Sequence, residues 1–222
     1  MNGFRILPLE RRVDASLVRR FAAVPVANVS DVMSRMSAAG PTLRPLHAGG
    51  VLAGPAFTVK SRPGDNLMLH KALDLASPGD VIVVDAGGDL TNAMLGEMML
   101  AHAETRGLAG VVINGAVRDL AAIKAGSFPV FAAGVTHRGP YKNGPGEINV
   151  PVSLGGMVIE PGDLILGDDD GVVSVPYAEA AAICAEAEKK HAQETEHLQI
   201  ILDGKVDRSW IDRTLADLGC KL

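Results

Sequence analysis

Apolar runs of strand length alternate with segments of helical period through the middle of the chain. Val81–Val84, within DVIVVDAGG, and Val111–Ile113, within GLAGVVINGAVRD, are apolar at every position. Such a run predicts a strand covered on both faces. Residues 66–76 read as a helix stopped by Pro78-Gly79, and residues 119–126 (DLAAIKAG) as a short helix ended by Gly126. PVFAAG is a further short strand. Strand and helix therefore alternate from about Val81 to Gly134, the signature of βαβ units and of an α/β fold.

The flanks read differently. Residues 14–24 predict a first helix with Asp14 near its N-cap, and Asn28-Val29-Ser30-Asp31 can cap a second that runs to about Ala38. AFTVKS (56–61) alternates like a strand, and Pro63-Gly64-Asp65-Asn66 is a turn. After Gly134 comes a polar loop, Thr136 to Asn149, long enough to suggest a functional role. VPVSL, MVIE, LILG and VVSVP then predict an antiparallel meander. Asp168-Asp169-Asp170-Gly171 does not match the calcium-loop spacing and reads as a hairpin turn. A long helix from about Tyr177 to Leu202 exceeds what one small domain needs, so it can reach a neighbouring subunit. With no internal repeat and no low-complexity linker, one domain over residues 1–222 is expected.

Composition narrows the class. Hydrophobic residues make up 47% of the 222 and aromatics 4%, which suits tightly packed layers of Ala, Val, Leu and Gly. The net charge is −5 and no basic cluster stands out, so no nucleic-acid partner is expected. Cys184 and Cys220 match no metal-site spacing and read as reduced thiols of a cytoplasmic protein. The N-terminus lacks an apolar signal segment, and no run reaches the roughly 20 residues of a membrane helix. Phosphate-loop, dinucleotide and nucleophile-elbow motifs are all absent.

The chemistry concentrates between Gly96 and Asp119. Glu97 stands twenty residues ahead of Arg118-Asp119, and a helix with a returning strand can bring the two ends together. Arg118 can grip a carboxylate in a two-pronged fork. Asp119 offers hard oxygen suited to Mg²⁺ or Mn²⁺. The amides of Gly96, Glu97, Met98 and Met99 lie at a helix start, where anions bind. Blander readings exist for each: Arg118-Asp119 as a surface ion pair, Glu97 as a first-turn carboxylate, Lys142 as a solvated loop residue. His70, His102 and His137 read as structural or surface residues, and Glu186, Glu188, Glu194 and Glu196 as a solvated helix face. Neither Lys124 nor Lys142 lies in an apolar setting that would lower its pKa, so a Schiff-base role for either is disfavoured.

Five segments stand out together: PGDN (63–66), GDVIVVDAGG (79–88), GEMML (96–100), GLAGVVINGAVRD (107–119) and PGDLILGDDDGVVSVP (161–176). As a set they resemble the RraA-like family, which includes the 4-hydroxy-4-methyl-2-oxoglutarate and 4-carboxy-4-hydroxy-2-oxoadipate aldolases. The resemblance spans roughly Val26 to Gly204, and it implies a swivelling β/β/α fold with a layered mixed sheet and flanking helices. It also implies a homotrimer or hexamer, with residues 177–222 at the subunit interface. The family's aldolases carry an acidic residue, twenty intervening residues, then Arg-Asp, as here at Glu97, Arg118 and Asp119. The first is more often Asp, and Glu97 departs from that. By the resemblance Asp119 anchors the metal, and Arg118 binds the keto oxygen and carboxylate of a pyruvyl group. The amides of Gly96 to Met99 hold that carboxylate, Lys142 is an active-site lysine, and Glu194 is donated by an adjacent subunit. The implied reaction is metal-dependent cleavage of 4-hydroxy-2-oxo acids to pyruvate through an enolate, with oxaloacetate decarboxylation alongside. The alternative is a non-catalytic regulator that binds RNase E. Family members of that kind tend to lack the acid at the position of Glu97.

Overall fold

The computed structural model describes residues 3–221. In chain order its elements are β1 (Phe4–Ile6), α1 (Ala15–Phe21), α2 (Val26–Val32), β2 (Arg44–Pro45), β3 (Leu52–Ser61), α3 (Leu67–Leu75), β4 (Val81–Asp85), β5 (Ala93–Leu95), α4 (Glu97–Thr105) and β6 (Gly110–Val117). There follow α5 (Leu120–Ala125), β7 (Val130–Val135), β8 (Gly146–Ile148), β9 (Val152–Leu154), β10 (Met157–Ile159), β11 (Leu164–Asp168), β12 (Gly171–Val175), α6 (Ala180–Leu202) and α7 (Ser209–Asp217).

The expected parallel core is present. β3, β4, β6 and β7 run parallel side by side, with Val83 opposite both Thr58 and Val112. Alternate residues of these strands enter two different cores. Ile82, Val84, Val111 and Ile113 pack under α3, α4 and α5, whereas Val81, Val83, Val112 and Phe131 pack against the β9–β10 hairpin. Both faces are therefore covered, which is why the runs carry no polar alternation. A third core joins α1, α2 and α6 to the outer face of β11 and β12. The strand β3 serves three partners, one of them β8, which pairs antiparallel with Val59–Ser61. Leu52–Pro55 pair antiparallel with β11, and Ala56–Lys60 pair parallel with β4.

Asp14 does cap α1, its carboxylate accepting from the Ser16 amide at 2.7 Å. The hairpin reading of Asp168–Gly171 also holds, and Asp168 additionally accepts from the Val26 amide at the start of α2. Four expectations need correction. The second helix starts at Val26 and ends at Val32, six residues short of Ala38, because Ser34 and Arg35 both turn left-handed (φ 58° and 60°). The last strands are two separate hairpins rather than one meander, since β9–β10 forms its own small sheet and β11–β12 joins β3. The loop after β7 is not wholly irregular, because Gly146–Ile148 form β8 between β1 and β3. The helix expected from Tyr177 opens with a 3-10 turn at Tyr177–Glu179 before α6. Among the described residues no helix is long and apolar enough to cross a membrane.

Candidate active site

The loops that follow the carboxyl ends of β3, β6 and β7 converge on one cleft, where ligands of α/β sheets bind. It has a volume of about 340 Å³, and its walls include Asn66, His70, Gly96, Met98, Met99, Arg118 and Lys142. The short strand β5 delivers Gly96 beside the end of β6, because the Arg118 amide donates to the Leu95 carbonyl at 2.9 Å.

Arg118 and Asp119 close tightly around Gly96. A Cβ on Gly96 would stand 2.4 Å from Asp119 Oδ2 and 2.9 Å from Arg118 Cγ, so the close approach requires glycine there. Asp119 itself adopts a left-handed backbone (φ 59°, ψ 40°), a conformation that Asp tolerates better than most residues. That turn aims its Oδ2 at the Glu97 amide, which donates at 2.9 Å, and sets it 3.6 Å from Arg118 Nε. Asp119 thus caps α4 and ties the two ends of the segment from Gly96 to Asp119 together.

The same capping redistributes the amides at the start of α4. The Glu97 amide is taken by Asp119, and the Met99 amide donates to the Gly96 carbonyl at 3.1 Å. Among the described residues the Met98 amide makes no hydrogen bond, and its side chain is 85% exposed at the cleft. The Glu97 side chain lines a separate depression of about 210 Å³ with Leu100, Ala122 and Phe128. Glu97 and Asp119 are therefore joined through backbone rather than by facing carboxylates.

Lys142 is positioned from beneath by the PGDN turn. Asp65, fully buried, accepts from the Asn143 amide at 2.7 Å, the Gly144 amide at 2.9 Å and the Leu67 amide at 3.0 Å. Burial alone would push its carboxyl up, but those amides and the Arg62 charge outweigh burial and hold it below the usual carboxylate value. The Asn66 amide donates to Tyr141 O and the Tyr141 amide to Gly64 O, stitching the loop to the turn.

Two further residues of the cleft, Asn66 and His70, are not read as site residues in the sequence. Asn66 is 2% exposed; its Nδ2 donates to Met94 O at 2.9 Å, and among the described residues its Oδ1 has no partner. His70, one turn along α3, lines the cleft rather than serving only as a surface residue. Burial, then the neighbouring Lys142 ammonium, holds its imidazole below the usual value; His102 adds to this and Asp74 opposes it. The signal available in sequence was the position of Asn66 and His70 at i and i+4 of a helix opened by the PGDN turn. His102 instead lies 3.4 Å from Asp74, and His137 is exposed. Glu194 lies elsewhere, on α6, where Lys190 (2.8 Å) and Asn28 bond it and hold its carboxyl below the usual value. Within one chain Glu194 is not brought to the cleft.

For a divalent cation, no group of three or more His, Cys, Asp or Glu side chains gathers among the described residues. A closed protein cage of the kind Zn²⁺ prefers is thus not built by one chain. Asp119 stands at a cradle that a Cβ on Gly96 would fill, with its side chain 41% exposed. One anchored carboxylate at an open mouth fits a water-rich ion such as Mg²⁺ or Mn²⁺.

A mixed α/β sheet with this cleft at the carboxyl ends of its parallel strands defines the class, and comparison names the family. The family model described as RraA-like, Aldolase/RraA, matches residues 26–174, and the chain belongs to that family. A protein of Halalkalibacterium halodurans named "Putative 4-hydroxy-4-methyl-2-oxoglutarate aldolase" is 42% identical over 192 residues, 86% of this chain and 91% of the relative. The crystal structure of RraAS2 from Streptomyces coelicolor, described as an unusual member of the RNase ES inhibitor RraA family, aligns with a TM-score of 0.76. It is 30% identical and covers 85% of this chain and 99% of that one. A structure from Pseudomonas syringae pv. tomato aligns with a TM-score of 0.79 at 25% identity, covering 88% and 96%.

Proposed function

We propose that this protein is a divalent-metal-dependent pyruvate aldolase. It cleaves 4-hydroxy-2-oxo acids such as 4-hydroxy-4-methyl-2-oxoglutarate or 4-carboxy-4-hydroxy-2-oxoadipate, and it decarboxylates oxaloacetate as a side activity. The observation that carries this reading is the packing of Arg118 and Asp119 around Gly96 at the mouth of a cleft that also presents Lys142. The names of its relatives support the same class.

Both reactions leave a pyruvate enolate, whose oxygen must be stabilised as charge develops. Arg118 would hold the keto oxygen and the adjacent carboxylate in its planar fork. The open Met98 amide at the start of α4 adds a donor for that carboxylate. Asp119 would hold Mg²⁺ or Mn²⁺, which supplies a Lewis acid and a fixed positive charge. A water oriented by Glu194 from a second copy of the chain, or by Glu97 with its side chain turned out of its own depression, would take the proton of the C4 hydroxyl. The reading includes assembly as a homotrimer or hexamer, since Glu194 of the same chain is remote from the cleft.

The test is pyruvate release from oxaloacetate and from 4-hydroxy-4-methyl-2-oxoglutarate, with Mg²⁺, with EDTA, and in the Asp119→Ala and Arg118→Ala variants. Turnover with Mg²⁺ that disappears in the other three arms is expected. A folded wild-type protein inert on both substrates would sink the aldolase reading. The second reading, a regulator binding RNase E, would then take its place; it draws on the likeness to RraA inhibitor structures and on the exposed Met98 side chain.

A further inference from the structure

Arg118 carries the proposed chemistry, yet few polar contacts hold its guanidinium in place. Its side chain is 46% exposed, and its one ionic neighbour among the described residues is Asp119, at 3.6 Å from Nε. What does touch the side chain is backbone. A Cβ on Gly96 would stand 2.9 Å from Arg118 Cγ and 3.0 Å from its Nε, and a Cβ on Gly139 would stand 3.5 Å from its Nη1. The arginine therefore rests on two glycines, its stem against Gly96 and its tip against Gly139.

The two supports are not equally secure. Gly96 is buried between β5 and α4, whereas Gly139 is exposed in the loop after β7. Two consecutive residues fasten that loop. The Ala93 amide donates to Arg138 O at 2.8 Å, and Asn92 Nδ2 donates to Gly139 O. The first bond is backbone to backbone, but the second needs a side-chain donor at position 92. Asn92 is 7% exposed and is not among the residues that line the cleft. Its own place is fixed by the PGDN turn, because a Cβ on Gly64 would stand 3.2 Å from Asn92 Cβ and 3.3 Å from its Oδ1. The Thr91 hydroxyl lies 3.3 Å from the same Oδ1. The amide is thus held with its donor aimed at one carbonyl, that of the glycine beneath the tip of Arg118.

We infer that Asn92 is a positioning residue for the proposed reaction: by tying down the Gly139 carbonyl it holds the backbone against which the Arg118 guanidinium is aligned. The inference rests on the aldolase reading and deepens it. A fork that is ordered before the ligand arrives loses less freedom on binding, so the pyruvyl group is held more tightly. Asn92 acts only through Arg118.

Two measurements test this. The first needs no turnover. In the free wild-type protein the Arg118 Nε–H, assigned by its loss in Arg118→Ala, should be more ordered by NMR relaxation than that of Arg213, an exposed arginine of α7. In Asn92→Ala it should become as mobile as Arg213. Equal mobility of the two arginines in the wild type would overturn the inference. The second reads pyruvate affinity by calorimetry with Mg²⁺ present. Asn92→Ala should weaken it about tenfold, the upper end of the cost of immobilising one rotamer-rich side chain. Asn92→Asp keeps the shape but loses the donor, and the same loss is expected, so the result does not hang on the folding of one variant. In Arg118→Lys, which keeps the charge and loses the fork, adding Asn92→Ala should cost no more than about twofold. A full tenfold loss in that background would mean that Asn92 is merely structural and would overturn the proposal, as would wild-type affinity in both Asn92 variants. A wild-type protein that neither binds nor releases pyruvate sinks the aldolase reading instead, and the relaxation measurement still decides whether Asn92 aligns Arg118.

Discussion

Gly96 is the point at which the smallest change should have the largest effect. Gly96→Ala places a methyl group 2.4 Å from Asp119 Oδ2, so Asp119 or the start of α4 must move. A loss of about 1–3 kcal/mol in stability is expected, read as a lower Tm, together with a fall in turnover larger than that instability explains. Lys142→Met tests the electrostatics of the cleft. Removing the ammonium removes a repulsion on the imidazolium, so the His70 midpoint should rise toward its ordinary value in an NMR titration. An unmoved midpoint would mean that Lys142 has no part in setting it. Arg118 and Asp119 were legible in sequence because they follow a buried strand in a recognisable string. Asn66 and His70 were not, because only the packing of α3 beside β5 and α4 turns two helix residues into a cleft wall.

Between turn and loop, Asp65 makes the connection on which Lys142 depends. Asp65→Ala frees the Asn143 and Gly144 amides and should cost about 2 kcal/mol. Trypsin should then cleave after Lys142 faster than in the wild type, and equal rates would mean that the loop is held by other contacts. The sign of the pH effect follows from the depressed carboxyl. The contribution is complete above the unfolded-state value and is lost only as pH falls through the lower folded-state value. The clamp therefore holds throughout the neutral range and opens in acid, where exchange of the Asn143 and Gly144 amides should accelerate. The parallel strands and their helices were readable as elements because long apolar runs and capping residues carry a period. β1, β2 and β5 span only two or three residues each, too few to show one, and α7 lay unread in the tail. The early end of α2 was equally hidden, since neither Ser34 nor Arg35 advertises a left-handed turn as glycine would.

At the scale of the molecule, apolar side chains remain uncovered along the end of α6 and beyond it. Leu198, Ile200, Ile201, Leu202, Trp210 and Leu218 are all exposed. Assembly through this face, as the proposed trimer or hexamer requires, predicts a light-scattering mass of three or six times 23.1 kDa. Leu202→Glu should lower that mass, and turnover should fall with it if a second copy completes the cleft. A stable, active monomer would remove Glu194 from the mechanism. The layered core was foreseeable from the chain, whereas the three pairings of β3 were not, since a single strand pattern does not say how many partners it has. The pairing with β11 bears on synthesis. Leu52–Pro55 leave the ribosome early, but their ladder partners, Leu164–Gly167, lie more than a hundred residues downstream. At ordinary translation rates this half of the strand waits on the order of ten seconds with an open edge. Pro55 sits in that waiting segment, and its missing amide makes the edge a poorer template for a neighbouring nascent chain.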